Sequence, residues 1–170
     1  MWCQFVYSAR RPRHYRWNRC GMEAGLACAH MVDSAGAGGQ PAPHPTLRLV
    51  IGENNADLAM TLTMLFEVEP GIECVAVAAS GAAVIAALEA HSPNGFVLDL
   101  SLDDGSSLPL IATLRERSPR AVIVVHTGYK SGELDQRCLR SGADEVVLKT
   151  GDIDALTAAL RRAAANRAGG

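Results

Sequence analysis

From Leu47 onward, short apolar runs rich in β-branched residues alternate with stretches whose apolar positions recur every three or four residues. Residues 47–51 are predicted as a first strand. Asn54 or Asn55 then caps a helix in which Leu58, Leu62, Leu65 and Phe66 share a face. A Pro70-Gly71 turn leads to a second strand at 72–77, and Ser80 opens a helix with Val84, Ile85 and Leu88 on one face. Phe96, Val97 and Leu98 show no polar alternation and are too few for a helix, so they read as a strand buried on both faces. A third helix carries Leu108, Ile111 and Leu114. Residues 121–125 make a fourth strand, Leu134, Cys138 and Leu139 mark a fourth helix, and 145–148 make a fifth strand. Ile153, Leu156, Leu160 and Ala163 give the last helix its face.

Five strand and helix pairs joined by short connections predict a doubly wound α/β domain, because parallel strands need crossovers and right-handed crossovers can cover either face. In such sheets the functional crevice lies beyond the carboxyl ends of the strands. The residues expected there are Glu53 and Asn54 after the first strand, Asp99 at the third, Thr127 after the fourth and Lys149 after the fifth. Asp99 ends an apolar run and is followed by a short acidic loop containing Asp103, Asp104 and Gly105. Burying its charge within the strand would be costly, so it is expected at the strand end, facing water, a metal or a cation. Taken singly, an acid at a strand end is commonly a helix cap, a lysine there an exposed lysine and a threonine a turn hydroxyl. Their convergence on one crevice is what suggests chemistry.

Composition changes this picture little. Of 170 residues, 48% are apolar and 5% aromatic, and no uninterrupted apolar segment approaches the roughly 20 residues that cross a bilayer. The formal charge of −2 divides unevenly: residues 1–45 hold five Arg against Glu23 and Asp33, a formal +3, which leaves −5 for the remainder. No CxxC pair occurs among the five cysteines, so a reduced, cytoplasmic chain is expected. Residues 1–45 read as a separate leader. Arg10, Arg11, Arg13, Arg16 and Arg19 interleave with Tyr7, His14, Tyr15 and Trp17, a pattern suited to a phosphate backbone or an anionic membrane surface. Residues 34–45, rich in Ala, Gly and Pro, read as a flexible linker. The simpler reading is a disordered tail, or an upstream start. Cys20, Cys28, His14 and His30 match no zinc spacing.

Four separated motifs together carry a resemblance over about residues 47–166. They are Ile51-Gly52-Glu53-Asn54-Asn55-Ala56-Asp57, the block from Leu98 to Gly105, Thr127 after an apolar strand, and Gly142-Ala143-Asp144 leading to Lys149. In order and spacing this resembles the receiver domain of bacterial two-component response regulators. The resemblance implies a flavodoxin-like (βα)5 fold with strand order 2-1-3-4-5, a receiver domain at 46–167 and a short tail at 168–170. It implies phosphoryl acceptance at Asp99 from a histidine kinase or phosphotransfer protein. Mg²⁺ would be bound by Glu53, Asn54, Asp99 and the backbone carbonyl of Ser101, with Lys149 and Thr127 contacting the phosphoryl group. Three positions depart from the family pattern. Asn54 stands where a second acid is usual, which should weaken Mg²⁺ binding. Thr150 replaces a proline reached through a cis bond, so that loop is expected to be either trans and reshaped or strained. Val146 replaces an aromatic three residues before the lysine. Because the chain ends near the last helix, a stand-alone signalling switch is expected, not an enzyme, acting in a phosphorelay through a downstream protein partner without nucleic acid contact by the domain or a membrane span. The alternative is a receiver-like interaction module that no longer turns over phosphate. A flavodoxin-like cofactor enzyme is disfavoured, since no glycine-rich phosphate loop follows the first strand.

Overall fold

The computed structural model describes residues 46–129 and 131–169. The leader, with the linker, phosphate-binding and metal readings made on it, lies outside the described residues. In chain order the elements are β1 (Leu47–Gly52), α1 (Ala56–Glu67), β2 (Ile72–Ala78), α2 (Gly81–His91), β3 (Gly95–Leu98), β4 (Ser101–Leu102), β5 (Gly105–Ser106), α3 (Leu108–Arg117), β6 (Val122–Thr127), α4 (Gly132–Arg140), β7 (Glu145–Leu148) and α5 (Ile153–Ala168). Five strands form one parallel sheet in the order β2-β1-β3-β6-β7. That is the expected order once β4 and β5, a small antiparallel hairpin, are set apart. The hairpin replaces the open loop read after Asp99, and its Asp103-Asp104-Gly105 turn closes with Gly105 at φ +120°.

Among the described residues, four of the five helix starts carry a side-chain cap, and α3 has a proline in its first turn instead. Asn55, not Asn54, caps α1 by accepting from the Leu58 N–H at 3.0 Å. Ser80, Ser131 and Asp152 do the same for α2, α4 and α5. These side chains satisfy amide groups that a helix leaves without carbonyl partners. The helices cover both faces of the sheet because strand side chains alternate. Leu49, Ile51, Val97, Val122 and Val124 pack against Leu62, Phe66, Leu156 and Leu160 of α1 and α5. On the opposite face Val50, Phe96, Ile123 and Val125 pack against Val84 of α2, Ile111 and Leu114 of α3 and Cys138 of α4. Burying each large apolar side chain stabilises by about 1.5–3 kcal/mol, and central β3 is buried throughout. At the carboxyl end of β1, Gly52 leaves room for Leu98 and Val84. A Cβ there would stand 2.9 Å from Leu98 Cδ2.

Candidate functional site

The crevice is built at the carboxyl ends of β1, β3, β6 and β7. Asp99 follows β3, its backbone N–H donating to the Gly52 carbonyl at 2.7 Å. Its carboxylate divides its work: Oδ1 accepts from the Leu100 N–H at 2.7 Å, while Oδ2 lies 2.9 Å from Lys149 Nζ. Its carbonyl accepts from the Ser107 hydroxyl at the start of α3. Glu53, 4% exposed, leaves β1 with its N–H on the Ala78 carbonyl at 2.9 Å. Its Oε1 accepts from the Asn55 N–H at 3.1 Å and its Oε2 lies 2.6 Å from Lys149 Nζ. Lys149 reaches this point because its backbone N–H is held by the Thr127 carbonyl at 2.7 Å. One ammonium thus joins the buried Glu53 and the half-buried Asp99 carboxylates, and the trio carries a formal net charge of −1.

Thr127 ends β6 instead of following it and is buried, but its hydroxyl is engaged within its own loop. It donates to the Tyr129 carbonyl at 3.1 Å and accepts from the Tyr129 N–H at 3.2 Å. Asn54 is exposed, and Ser101 opens β4 opposite Ser106. Asp104 belongs elsewhere: its two oxygens accept from the Gly81 and Ala82 N–H groups at 2.8 and 3.0 Å, capping α2. Those bonds hold its carboxyl below the usual range. No peptide bond among the described residues is cis. The loop after Lys149 is therefore trans and turns through Gly151 at φ +83° into the Asp152 cap. Val146 is half-buried against the α2, α3 and α4 side of the core.

Among the described residues no three His, Cys, Asp or Glu side chains gather as a metal site. Mg²⁺ does not require that many: it keeps several waters and is commonly held by one or two carboxylates plus substrate phosphate oxygens. Glu53 and Asp99, with an oxygen each on the same ammonium, already aim two hard donors at one cation. This donor set fits the ion.

Sequence reasoning missed His126. It lies in β6, 7% exposed, on the α1 and α5 side of the sheet, and its Nδ1 is buried without a hydrogen-bond partner among the described residues. Burial, and then the Lys149 charge, push its pKa down to about 4, against a smaller opposing pull from Asp99. The available signal was one polar residue ending the apolar run from Ala121 to Val125 just before Thr127.

Residues 49–161 match the family model of the response regulator receiver domain. The oxygen regulatory protein NreC of Staphylococcus haemolyticus (strain JCSC1435) is 31% identical over 117 residues, covering 68% of this chain and 54% of that protein. A two-component response regulator of the LuxR family from Aurantimonas sp. SI85-9A1 superposes with a TM-score of 0.67 at 23% identity, over 72% of this chain and 87% of that one. A CheX-CheY-BeF3-Mg²⁺ complex from Borrelia burgdorferi gives a TM-score of 0.64 at 17% identity, over 69% and 89%. Both structures speak to the fold. The chain spans about half the length, or less, of the curated relatives it matches. With its strand order, its two acids on one lysine and a family match over most of the described fold, the chain belongs to the response regulator receiver domain family of two-component signalling.

Proposed function

We propose that this domain is a phosphoacceptor switch in which Asp99 takes a phosphoryl group from the histidine of a kinase or phosphotransfer protein. The observation that carries the reading is the Lys149 ammonium, 2.9 Å from Asp99 Oδ2 and 2.6 Å from Glu53 Oε2. In the transfer an Asp99 oxygen attacks phosphorus, the phosphorus–nitrogen bond to the donor imidazole breaks, and an acyl phosphate forms. Hydrolysis returns Asp99 and inorganic phosphate. An incoming phosphoryl dianion meets a crevice that is already negative, so both charges need offsetting. Mg²⁺, held by Glu53, Asp99, the Asn54 amide oxygen and the Ser101 carbonyl, would supply that offset and orient the phosphoryl oxygens. Lys149 stays on the crevice as the fixed cation. Thr127 exchanges its bond to Tyr129 for one to the phosphoryl group, which frees the β6 to α4 loop. With Val146 in place of an aromatic, this loop carries the output toward a downstream protein.

Intact-mass measurement of the full chain after incubation with a small phosphodonor tests the reading. An adduct of about 80 Da, one phosphoryl group, should require Mg²⁺ and be absent from Asp99→Asn. No adduct on the parent would leave an interaction module that does not turn over phosphate.

A further inference from the structure

Ser107 stands at the start of α3, 1% exposed, and both of its hydrogen-bond donors are directed back at the phosphoacceptor segment. Its hydroxyl donates to the Asp99 carbonyl, and its N–H donates to the Leu100 carbonyl at 2.9 Å. Serine is among the best residues for capping a helix, and Ser80 and Ser131 cap α2 and α4. Ser107 occupies the same place before α3 yet makes no side-chain cap bond. Its hydroxyl is spent on Asp99 instead. We propose that Ser107 is a positioning residue for Asp99: through the peptide group that joins Asp99 to Leu100, its hydroxyl fixes the direction in which the Asp99 carboxylate meets phosphorus. This rests on the phosphoacceptor reading and adds a residue to it.

That peptide group is bonded at both edges. Its carbonyl, on Asp99, accepts from the Ser107 hydroxyl, and its N–H, on Leu100, donates to Asp99 Oδ1 at 2.7 Å. A trans peptide is planar with its C=O and N–H on opposite edges, so a bond that holds one edge sets the direction of the other. Accepting a hydrogen bond at the carbonyl also polarises the N–H and strengthens it as a donor. Oδ2 is held by Lys149 at 2.9 Å, but an ammonium on a flexible four-carbon stem acts as a point charge and leaves the carboxylate free to turn about it. The Leu100 N–H is therefore the fixed reference for the carboxylate plane. On the other side of the residue the Asp99 N–H is tied to the Gly52 carbonyl at 2.7 Å. Strand β1 thus secures one side of Asp99 and Ser107 the other. Without the hydroxyl the Asp99–Leu100 peptide can tilt, and a nucleophile turned away from its line of attack reacts more slowly.

The test compares the full chain with Ser107→Ala and Ser107→Thr at saturating Mg²⁺, with acetyl phosphate as phosphodonor and intact mass as the readout of rate. Ser107→Ala should lower the phosphorylation rate constant by about tenfold, the factor carried by one hydrogen bond. NMR of the unphosphorylated proteins should show the Leu100 amide proton moved upfield in Ser107→Ala, as its bond to Oδ1 weakens. Ser107→Thr, which keeps the hydroxyl, should restore both the shift and the rate. Where either variant fails to fold, Ser107→Cys, a weaker donor of similar size, carries the comparison and should depart from the parent in the same direction on both readouts. An unchanged rate, an unchanged Leu100 shift, or a Ser107→Thr that folds yet behaves as Ser107→Ala would each overturn the proposal. A parent that takes no phosphoryl group would instead overturn the phosphoacceptor reading, and the Leu100 shift would still decide whether Ser107 orients the Asp99 carboxylate.

Discussion

Substituting Lys149 by Met would leave Glu53 and Asp99 in the crevice with no cation between them. Breaking a buried pair by removing one partner costs about 3–5 kcal/mol. Lys149→Met should lose about 3 kcal/mol in urea denaturation without metal, and added Mg²⁺ should restore part of it by replacing the missing charge. If Mg²⁺ restores nothing, Glu53 and Asp99 do not share a cation site. His126 makes a separate forecast with pH. Its imidazole titrates near 6.5 when unfolded and at about 4 in the fold, so the unfolded chain binds more protons between those values and stability rises with pH across the window. The contribution is fully present above pH 6.5 and lost as pH falls toward 4, amounting to at most about 3 kcal/mol. His126→Leu should flatten the stability profile in that window, and an unchanged slope would remove the buried neutral imidazole as its source. At this scale Asp99, Glu53 and Lys149 were legible because charged residues ending apolar runs stand out. His126 was not, because a single histidine in a strand gives no hint that its Nδ1 is buried without a partner among the described residues.

Helix and strand positions were legible wherever a period was clear, and the misses fall where pairing depends on few residues. Strands β4 and β5 hold two residues each, too short for alternation to show. The turn residues Asp103, Asp104 and Gly105 were the available sign of a hairpin. What the hairpin does is set by contacts distant in sequence: the Asp103 N–H donates to the Ala79 carbonyl at 3.0 Å, and Asp104 caps α2. The loop after Asp99 is thereby tied to the β2 to α2 connection. Asp104→Ala should speed amide exchange at Gly81 and Ala82 and lower the melting temperature. With Asp104 present this cap holds above the ordinary carboxylate range and is lost as pH falls through its depressed folded value. At the other end of the sheet Gly142 has φ +108°, and a Cβ there would lie 2.9 Å from Arg115 Cβ. Gly142→Ala should cost about 2 kcal/mol or more through backbone strain and displacement of Arg115, measured by urea denaturation.

Across the whole molecule the two ends of the sheet have different tasks. Beyond the amino ends of β6 and β7, Asp144 accepts from the Ile123 N–H at 2.8 Å and from Arg115 and Arg167 at 3.0 and 2.6 Å, a network that fastens α3 and α5 to the sheet. Beyond the carboxyl ends, charge is left unbalanced around Asp99. The fold class and strand order were legible because alternating strands and helices with short connections admit few topologies. The direction in which Thr127 spends its hydroxyl was not, since it depends on a loop bond to Tyr129. All proposed site residues lie between Glu53 and Lys149, so removing residues 1–45 should leave the phosphorylation rate unchanged at low and high salt. A salt-sensitive acceleration on truncation would instead mean that the leader's arginines screen the crevice. The account as a whole turns on which carboxylate carries the phosphoryl group. Borohydride converts an acyl phosphate to an alcohol, so the phosphorylated full chain, reduced and sequenced by peptide mass spectrometry, records the acceptor directly. Homoserine at position 99 alone is the predicted result, and homoserine at 103 or 104, or 2-amino-5-hydroxypentanoic acid at 53, with an unmodified Asp99 would contradict it.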